Sequence, residues 1–517
     1  LVTQLKRFTP IIIVALTTLM MFFPFNLKAQ EYLCSEVMKS TRLMRNMNII
    51  GSDDLGFYVT DENDKEQFVR ISYYDFAGLK PIWSENISVP ENDYEQQFEQ
   101  IIQLNDKFLF FTSRFSKDSE QFQIFCTFLD KKGKPMNEPA LVHYVLSEGR
   151  SSAPVFGATL SPDKTKMLLY FDPPFERKSS EAVSFKCYTT ELEMLWEKDI
   201  LLPYTQEVVQ VHSFLLDNDV NIYMMSGRNP SKSGHQWQKP QGGRYVVFFY
   251  NATNNKLKEY DVSLKDKQVL SVIFQFNKEQ DVVITGYYSN DFRFSASGTF
   301  LFTIGAGGTA VKAASFMPFA KDFVAKLVRT NRSDSEAALP DFYLDHMILE
   351  ADGSMILIGE QYYATENTIT DPTTGRQTIE FRYNFDDIIV TRIEPSGRHM
   401  WNLKIPKRQY TTSDTKVCSY QCFDNGKSLM FYFNDHPENQ QRLSAMMEGD
   451  AALWSGSKSS VTTRVILDKT GTFKREVLFS NKEKDALLNT FYGLKSLNGP
   501  QLLGYEDGKS YKFCYVK

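Results

Sequence analysis

The chain has 517 residues, 42% hydrophobic and 14% aromatic, with a formal net charge of −5. That acidic balance gives no general reason to bind nucleic acid or an anionic membrane. The length allows a large core but exceeds an ordinary single domain, a tension that a repeat array resolves because each added unit extends the core without deepening it.

The first 29 residues read as an address. Lys6 and Arg7 give a positive start, Phe8 to Phe25 form a mostly apolar run, and small Ala29 stands immediately before Gln30. This pattern is expected to be a secretory signal peptide. Its removal leaves 488 residues (517 − 29) and takes away Lys6, Arg7 and Lys28, so the charge becomes −8 (−5 − 3). No later stretch is long and uncharged enough to cross a membrane, so the mature chain is read as having no transmembrane span. The aromatic-rich end of the segment, with Lys28-Ala29-Gln30 at the join, resembles exported envelope proteins of the Bacteroidota. That resemblance implies periplasm or outer-membrane periphery as the compartment, with the extracellular medium as the alternative.

From residue 30 onward a phrase recurs at intervals of roughly 50 to 75 residues, a polar turn followed by a short aromatic-rich strand. It begins at Asp53, Asn105, Asp163, Asp217, Asn277, Ala351, Asp424 and Asn498. A second turn, an acid followed three residues later by glycine, appears at Asp130 to Gly133, Glu394 to Gly397 and Asp468 to Gly471. The acid can accept local backbone hydrogen bonds while glycine supplies the left-handed conformation. Between them the two turns mark four strands per unit, a to d, with tryptophan on the last at Trp83, Trp196 and Trp401.

Such units are propeller blades. The fold expected over 30–517 is all-β, a single β-propeller of seven or eight mostly four-stranded antiparallel blades. The last unit lacks an outer strand, which residues near Cys34 to Met47 would supply, so that the termini share the closing blade. The fifth unit is the weakest. After Ile304 it dissolves into Gly305 to Gly308, then a stretch from Ala313 to Val328 that reads as a short helix broken by Pro318, then a linker from Asn331 to Pro340. Seven blades result if one weak unit is only a decoration.

Six cysteines in an exported chain permit disulfides. Cys34 and Cys514 could staple the shared blade. Cys126, Cys187, Cys418 and Cys422 lie on hydrophobic runs and read as core residues rather than metal ligands.

Strong catalytic motifs are missing. There is no HExxH, GxSxG, phosphate-binding Gly-rich loop or CxxC. Ser455-Gly456-Ser457-Lys458 contains a Ser-x-x-Lys pair but sits in a polar loop without companion motifs. Thr370 to Arg376 has the feel of a calcium loop with too few acids and reads better as a turn between two small strands. The six histidines are scattered, and the acid pairs Asp53-Asp54 and Asp386-Asp387 sit at turn-to-strand junctions. The general resemblance to propeller glycosidases supplies an architecture but no matched catalytic residue. Neither a cofactor nor a metal is expected.

The sharper signal is where the long connections fall. Insertions near 172–182, 227–244, 361–387 and 434–460 all separate strands b and c, which places them on one rim. That rim offers aromatic and basic side chains suited to a protein interface: Arg228, His235, Trp237, Lys239 and Arg244 in the second insertion, Tyr362, Tyr363, Arg376 and Arg382 in the third, and Trp454 in the fourth. Self-packing of the loops over the ring mouth is the competing reading. The function expected is noncatalytic protein binding or scaffolding in a cell-envelope assembly. A polysaccharide-binding module and a secreted glycan-acting hydrolase are the alternatives.

Overall fold

The computed structural model describes residues 32–39, 47–63, 68–88, 96–147, 149, 154–172, 178–228, 244–262, 267–290, 295–327, 339–370, 373, 375–447, 451–491, 499–507 and 510–516. The expected signal peptide lies outside them.

Among the described residues the chain forms eight antiparallel sheets of four or five strands, plus one two-stranded pairing. Seven blades run in chain order: 48–88, 96–146, 155–205, 209–261, 268–318, 342–405 and 421–480. The eighth combines 487–516 with the first described residues, where Tyr32–Cys34 and Met38–Lys39 both pair with Ser510–Val516. The shared closing blade is therefore present, and the strand supplied is shorter than the span from Cys34 to Met47. A Cys34–Cys514 disulfide joins its two ends, which face each other in register. Cys126, Cys187, Cys418 and Cys422 are free and buried.

Sheets become a ring because each buries both faces. Eight hydrophobic clusters lie one between each adjacent pair. Val59 and Phe57 of blade 1 meet Phe513 and Leu502 of blade 8, Phe111 of blade 2 meets Phe171 of blade 3, and Tyr432 of blade 7 meets Leu503 of blade 8. First strands of neighbouring blades touch from blade 1 through blade 4 and again between blades 5 and 6, which puts strand a on the inner side of the ring.

Both turn signals have physical work to do. In the a–b turns Asp53, Asp163, Asp217, Asp352 and Asp424 each accept the backbone N–H two residues on. In the c–d turns Asp130 and Asp468 do the same, and Gly133, Gly397 and Gly471 adopt positive φ. Those glycines are also contact points. A Cβ on Gly471 would lie 3.1 Å from Trp401 of the preceding blade, and one on Gly133 would lie 3.6 Å from Trp83. The d-strand tryptophan of one blade thus receives the c–d turn of the next.

The fifth unit is a complete blade, and its sequence misleads for a reason. Val311–Pro318 is the outer strand rather than part of a helix, and its burial alternates between exposed and half-buried positions with no strong apolar face. A helix does follow, at Lys321–Leu327. Gly308 belongs to the c–d turn and approaches blade 4 so closely that a Cβ would lie 2.3 Å from the Phe249 ring, while its N–H donates to the Tyr223 hydroxyl. Of the expected linker, 331–338 lie outside the described residues, and Leu339–Pro340 pairs with Ser295–Ala296.

Reduction, or Cys34→Ser, is expected to lower the unfolding free energy by about 2–5 kcal/mol. The Cys34→Ser/Cys514→Ser double variant should lose no more than the single one. Urea titrations with and without dithiothreitol test this, and an unchanged midpoint would contradict a stapling role. A second expectation concerns His143, stacked 3.7 Å from Phe171 between blades 2 and 3, with no partner for either ring nitrogen. Burial first, then nearby Lys186, holds its pKa down at about 4. The unfolded chain takes up this proton near pH 6.5, so the neutral ring's contribution is full above pH 6.5 and lost as the pH falls toward 4. His143→Phe should therefore gain on the native chain across that window and not above it. Melting curves that differ by a constant at every pH would refute the assignment.

Candidate functional site

The b–c connections share one rim with the blade-to-blade crossovers, and blades 6 and 7 carry its largest described features. In blade 6 the insertion is not an irregular loop. Strands b and c run on through it as Met355–Thr370 and Gln377–Ile393, paired from Glu360–Ile388 outward to Thr370–Gln377. The ten residues 361–370 extend the hairpin by roughly 33 Å at strand rise.

Alternation gives this hairpin two unlike faces. One carries Ile379, Phe381, Tyr383 and Phe385, with Tyr362 opposite Phe385. The Tyr362 ring packs against Phe385 and Tyr343 near the base. Toward the tip, Ile379 and Phe381 are 63% and 46% exposed, enough apolar surface to require an explanation. The other face carries Glu380, Arg382, Asn384 and Asp386, with Tyr363 opposite Asn384.

The polar face is tied down. The Arg382 guanidinium lies 3.6 Å from the Tyr410 ring centroid and donates to Asn384. The Tyr363 hydroxyl donates to Asp386 at 3.1 Å. Gln409–Thr411 adds a third strand against Tyr383–Phe385, so the lower hairpin is a sheet and its outer part a two-stranded ribbon.

Beneath lies a buried ionic network. Lys407, fully buried, pairs with Glu360 at 2.7 Å and donates to the carbonyl of Phe385 and the side chain of Gln409, both at 2.9 Å. Glu360 also accepts from Ser419 at 2.7 Å. In blade 7 the buried Asp435 pairs with Arg475 and accepts from Asn439. Buried charges survive only when paired and hydrogen-bonded, and these are. Sequence reasoning missed this network because Lys407, Glu360 and Ser419 come from three separate strands or connections, with no spacing that links them.

The blade 7 insertion folds back on this base. Pro437–Gln441 and Leu443–Met447 are short helical turns. Trp454 is 1% exposed and presents no face to a partner. Its backbone N–H donates to Arg408, its carbonyl accepts from Tyr410, and its indole donates to Ser457. For Trp454 the self-packing reading holds.

The other sequence candidates divide. His235, Trp237 and Lys239 lie outside the described residues, and Arg228 and Arg244 are placed only as backbone partners at the base of the second insertion. Tyr362, Tyr363 and Arg382 come together on the blade 6 hairpin, with exposed Arg376 beyond its last strand pair. Among the described residues no three His, Cys, Asp or Glu side chains converge as a metal site would require.

Trp454→Ala is expected to cost about 3–5 kcal/mol of stability, the range for removing a large buried aromatic. Thermal or urea unfolding measures it. A loss below about 1 kcal/mol would mean that the indole does not anchor the insertion.

No protein family matches the chain, and no curated protein does. Solved structures give weak likenesses. An uncharacterized protein from Listeria monocytogenes has a TM-score of 0.37 and 11% identity over 80% of this chain and 94% of that one. A prolyl endopeptidase has 0.36 and 11% over 85% of this chain but 46% of its own. An apocarotenoid oxygenase from Synechocystis has 0.34 and 9% over 71% and 74%. Scores this low carry no functional argument.

Proposed function

We propose that the chain is a noncatalytic recognition module that holds a protein partner on its b–c rim, as an exported component of a cell-envelope assembly. The observation that carries this reading is the blade 6 hairpin. It sets an exposed apolar pair, Ile379 and Phe381, on a rigid stem whose other face is locked to the ring. Rigid display of apolar side chains lowers the entropy that binding must overcome. Export is supported by the pattern of the first 29 residues, and the Cys34–Cys514 bridge suits an oxidising compartment.

The test uses the tagged chain in its native envelope beside the Ile379→Ser/Phe381→Ser variant. Both positions are exposed, so the melting temperature should hold while affinity for a captured partner falls at least about tenfold. Capture unchanged in the variant would remove the hairpin from the interface. If the chain came down alone and cleaved glycans in a broad screen, the recognition reading would fail.

A further inference from the structure

The circumference of the ring, away from both rims, holds a different feature. Each blade ends outward in a strand d whose far edge has no strand partner among the described residues. An open edge invites another chain, and charge or proline on it is the usual guard. The outer strands of blades 1, 3, 4, 5, 6 and 7 all carry charge, as at Glu85, Lys198, Lys258, Lys312, Lys404 and Lys474. Blade 2 does not. Its outer strand, Ala140–Leu146, reads ALVHYVL, with no acid, lysine, arginine or proline. Burial keeps the His143 ring neutral as well, with its pKa down at about 4.

The two faces of this strand are unlike. Val142 is buried in the cluster between blades 2 and 3 and Val145 packs on it, while His143 stacks on Phe171. On the other face Leu141, Tyr144 and Leu146 stand opposite Phe125, Gln123 and Gln121, and they are 50%, 53% and 79% exposed. Backbone bonding alternates along the same stretch. The Ser147 N–H donates to the Glu120 carbonyl of the strand's own sheet. In an antiparallel ladder the pairs at Val145 and His143 then bond inward too, and the N–H and C=O of Tyr144 and Leu146 point outward. Open backbone and exposed apolar side chains therefore fall on the same two residues.

That edge is complementary to a second copy of itself. A two-fold axis through Val145 sets Tyr144 against Leu146 of the second copy, and Leu146 against Tyr144 of the second copy. Both members of each pair have outward backbone groups, so each pair can exchange both of its hydrogen bonds. No like charges oppose each other in this register. The bulge between Leu141 and His143 limits the regular stretch on one side, so an axis placed nearer Leu141 would lose the alternation. Two-fold pairing also closes on itself, covering both unguarded edges and leaving none to recruit further chains.

We propose that the chain forms a two-fold dimer through blade 2, in which the stretch Tyr144 to Leu146 adds antiparallel to the same stretch of a second copy and joins two rings edge to edge. The contact is short, which places the dimer in the weak, concentration-dependent class. It lies on the circumference, leaves the b–c rim free and does not rest on the recognition reading.

Sedimentation equilibrium of the full chain, from about 1 to about 200 μM, should show monomer passing to dimer. Leu146→Pro removes an outward N–H and no bond within the sheet, so the melting temperature should hold while dimer affinity falls at least about tenfold. Tyr144→Lys gives this edge the charge that the other outer strands carry; it should weaken the dimer equally, and it decides the matter if Leu146→Pro does not fold. The register has its own readout. Opposed hydrogen-bonded residues have Cα atoms about 5.5 Å apart, a span that a disulfide bridges. A mixture of Tyr144→Cys and Leu146→Cys chains should therefore cross-link under mild oxidation more than either variant alone. Monomer at every concentration, self-association indifferent to the Leu146→Pro and Tyr144→Lys changes, or a mixture that cross-links no better than its components would each overturn the proposal.

Discussion

Ring closure is the constraint on which the rest depends. An antiparallel blade has two apolar faces, and each is covered only if a neighbour stands on both sides. For blade 8 that neighbour is blade 1, nearly the whole sequence away, and Phe513 meets Phe57 there at 5.1 Å between ring centroids. Pairing Tyr32–Cys34 with Ser510–Val516 brings the first and last described strands into one sheet and covers a strand edge that would otherwise invite aggregation. The disulfide then holds residues 480 apart in sequence, a loop long enough for cross-linking to restrict the unfolded chain strongly.

Closure also sorts the periphery. Once every blade is packed between two others, c–d turns have a fixed seat, and glycine at positive φ lets the turn settle on the preceding blade's outer strand. Gly471 and the carbonyl of Lys469, which accepts the Trp401 indole N–H at 3.2 Å, show how completely such a turn is used. Turns engaged in this way have little freedom to lengthen. The b–c connections carry the insertions, and in blade 6 strands b and c run outward beyond the ring as a hairpin.

What was legible in the sequence follows the same division. Aspartates two residues before a bonded N–H, glycines at positive φ and tryptophans on outer strands are local signals, and they located the blades and their closure. Blade 5 was obscured because Val311–Pro318 is an outer strand without a strong apolar face, so alternation is weak where solvent wets much of the strand. Within the insertion 361–387 the turn between two small strands was legible but their length was not, because exposed strand residues such as Thr365, Asn367 and Thr370 carry no hydrophobic pattern, although their threonines favour extended chain. The Lys407–Glu360–Ser419 network left no trace at all, since its meaning lies in which strands become neighbours.

The hairpin of blade 6 shows how a ring makes an exposed ribbon usable. A two-stranded ribbon is marginal in water by itself. Here its base is widened by Gln409–Thr411, the Arg382 guanidinium covers Tyr410 on one face, and Lys407 holds the Phe385 carbonyl from below. Support from the third strand ends at Tyr383, and the exposed Phe381 and Ile379 begin two and four residues beyond it. On that outer stretch strand c carries no third strand among the described residues, so its edge and its apolar face are offered together. A partner that adds an extended segment there would continue the sheet that Gln409–Thr411 begins, gaining backbone hydrogen bonds along the edge and side-chain burial on the face.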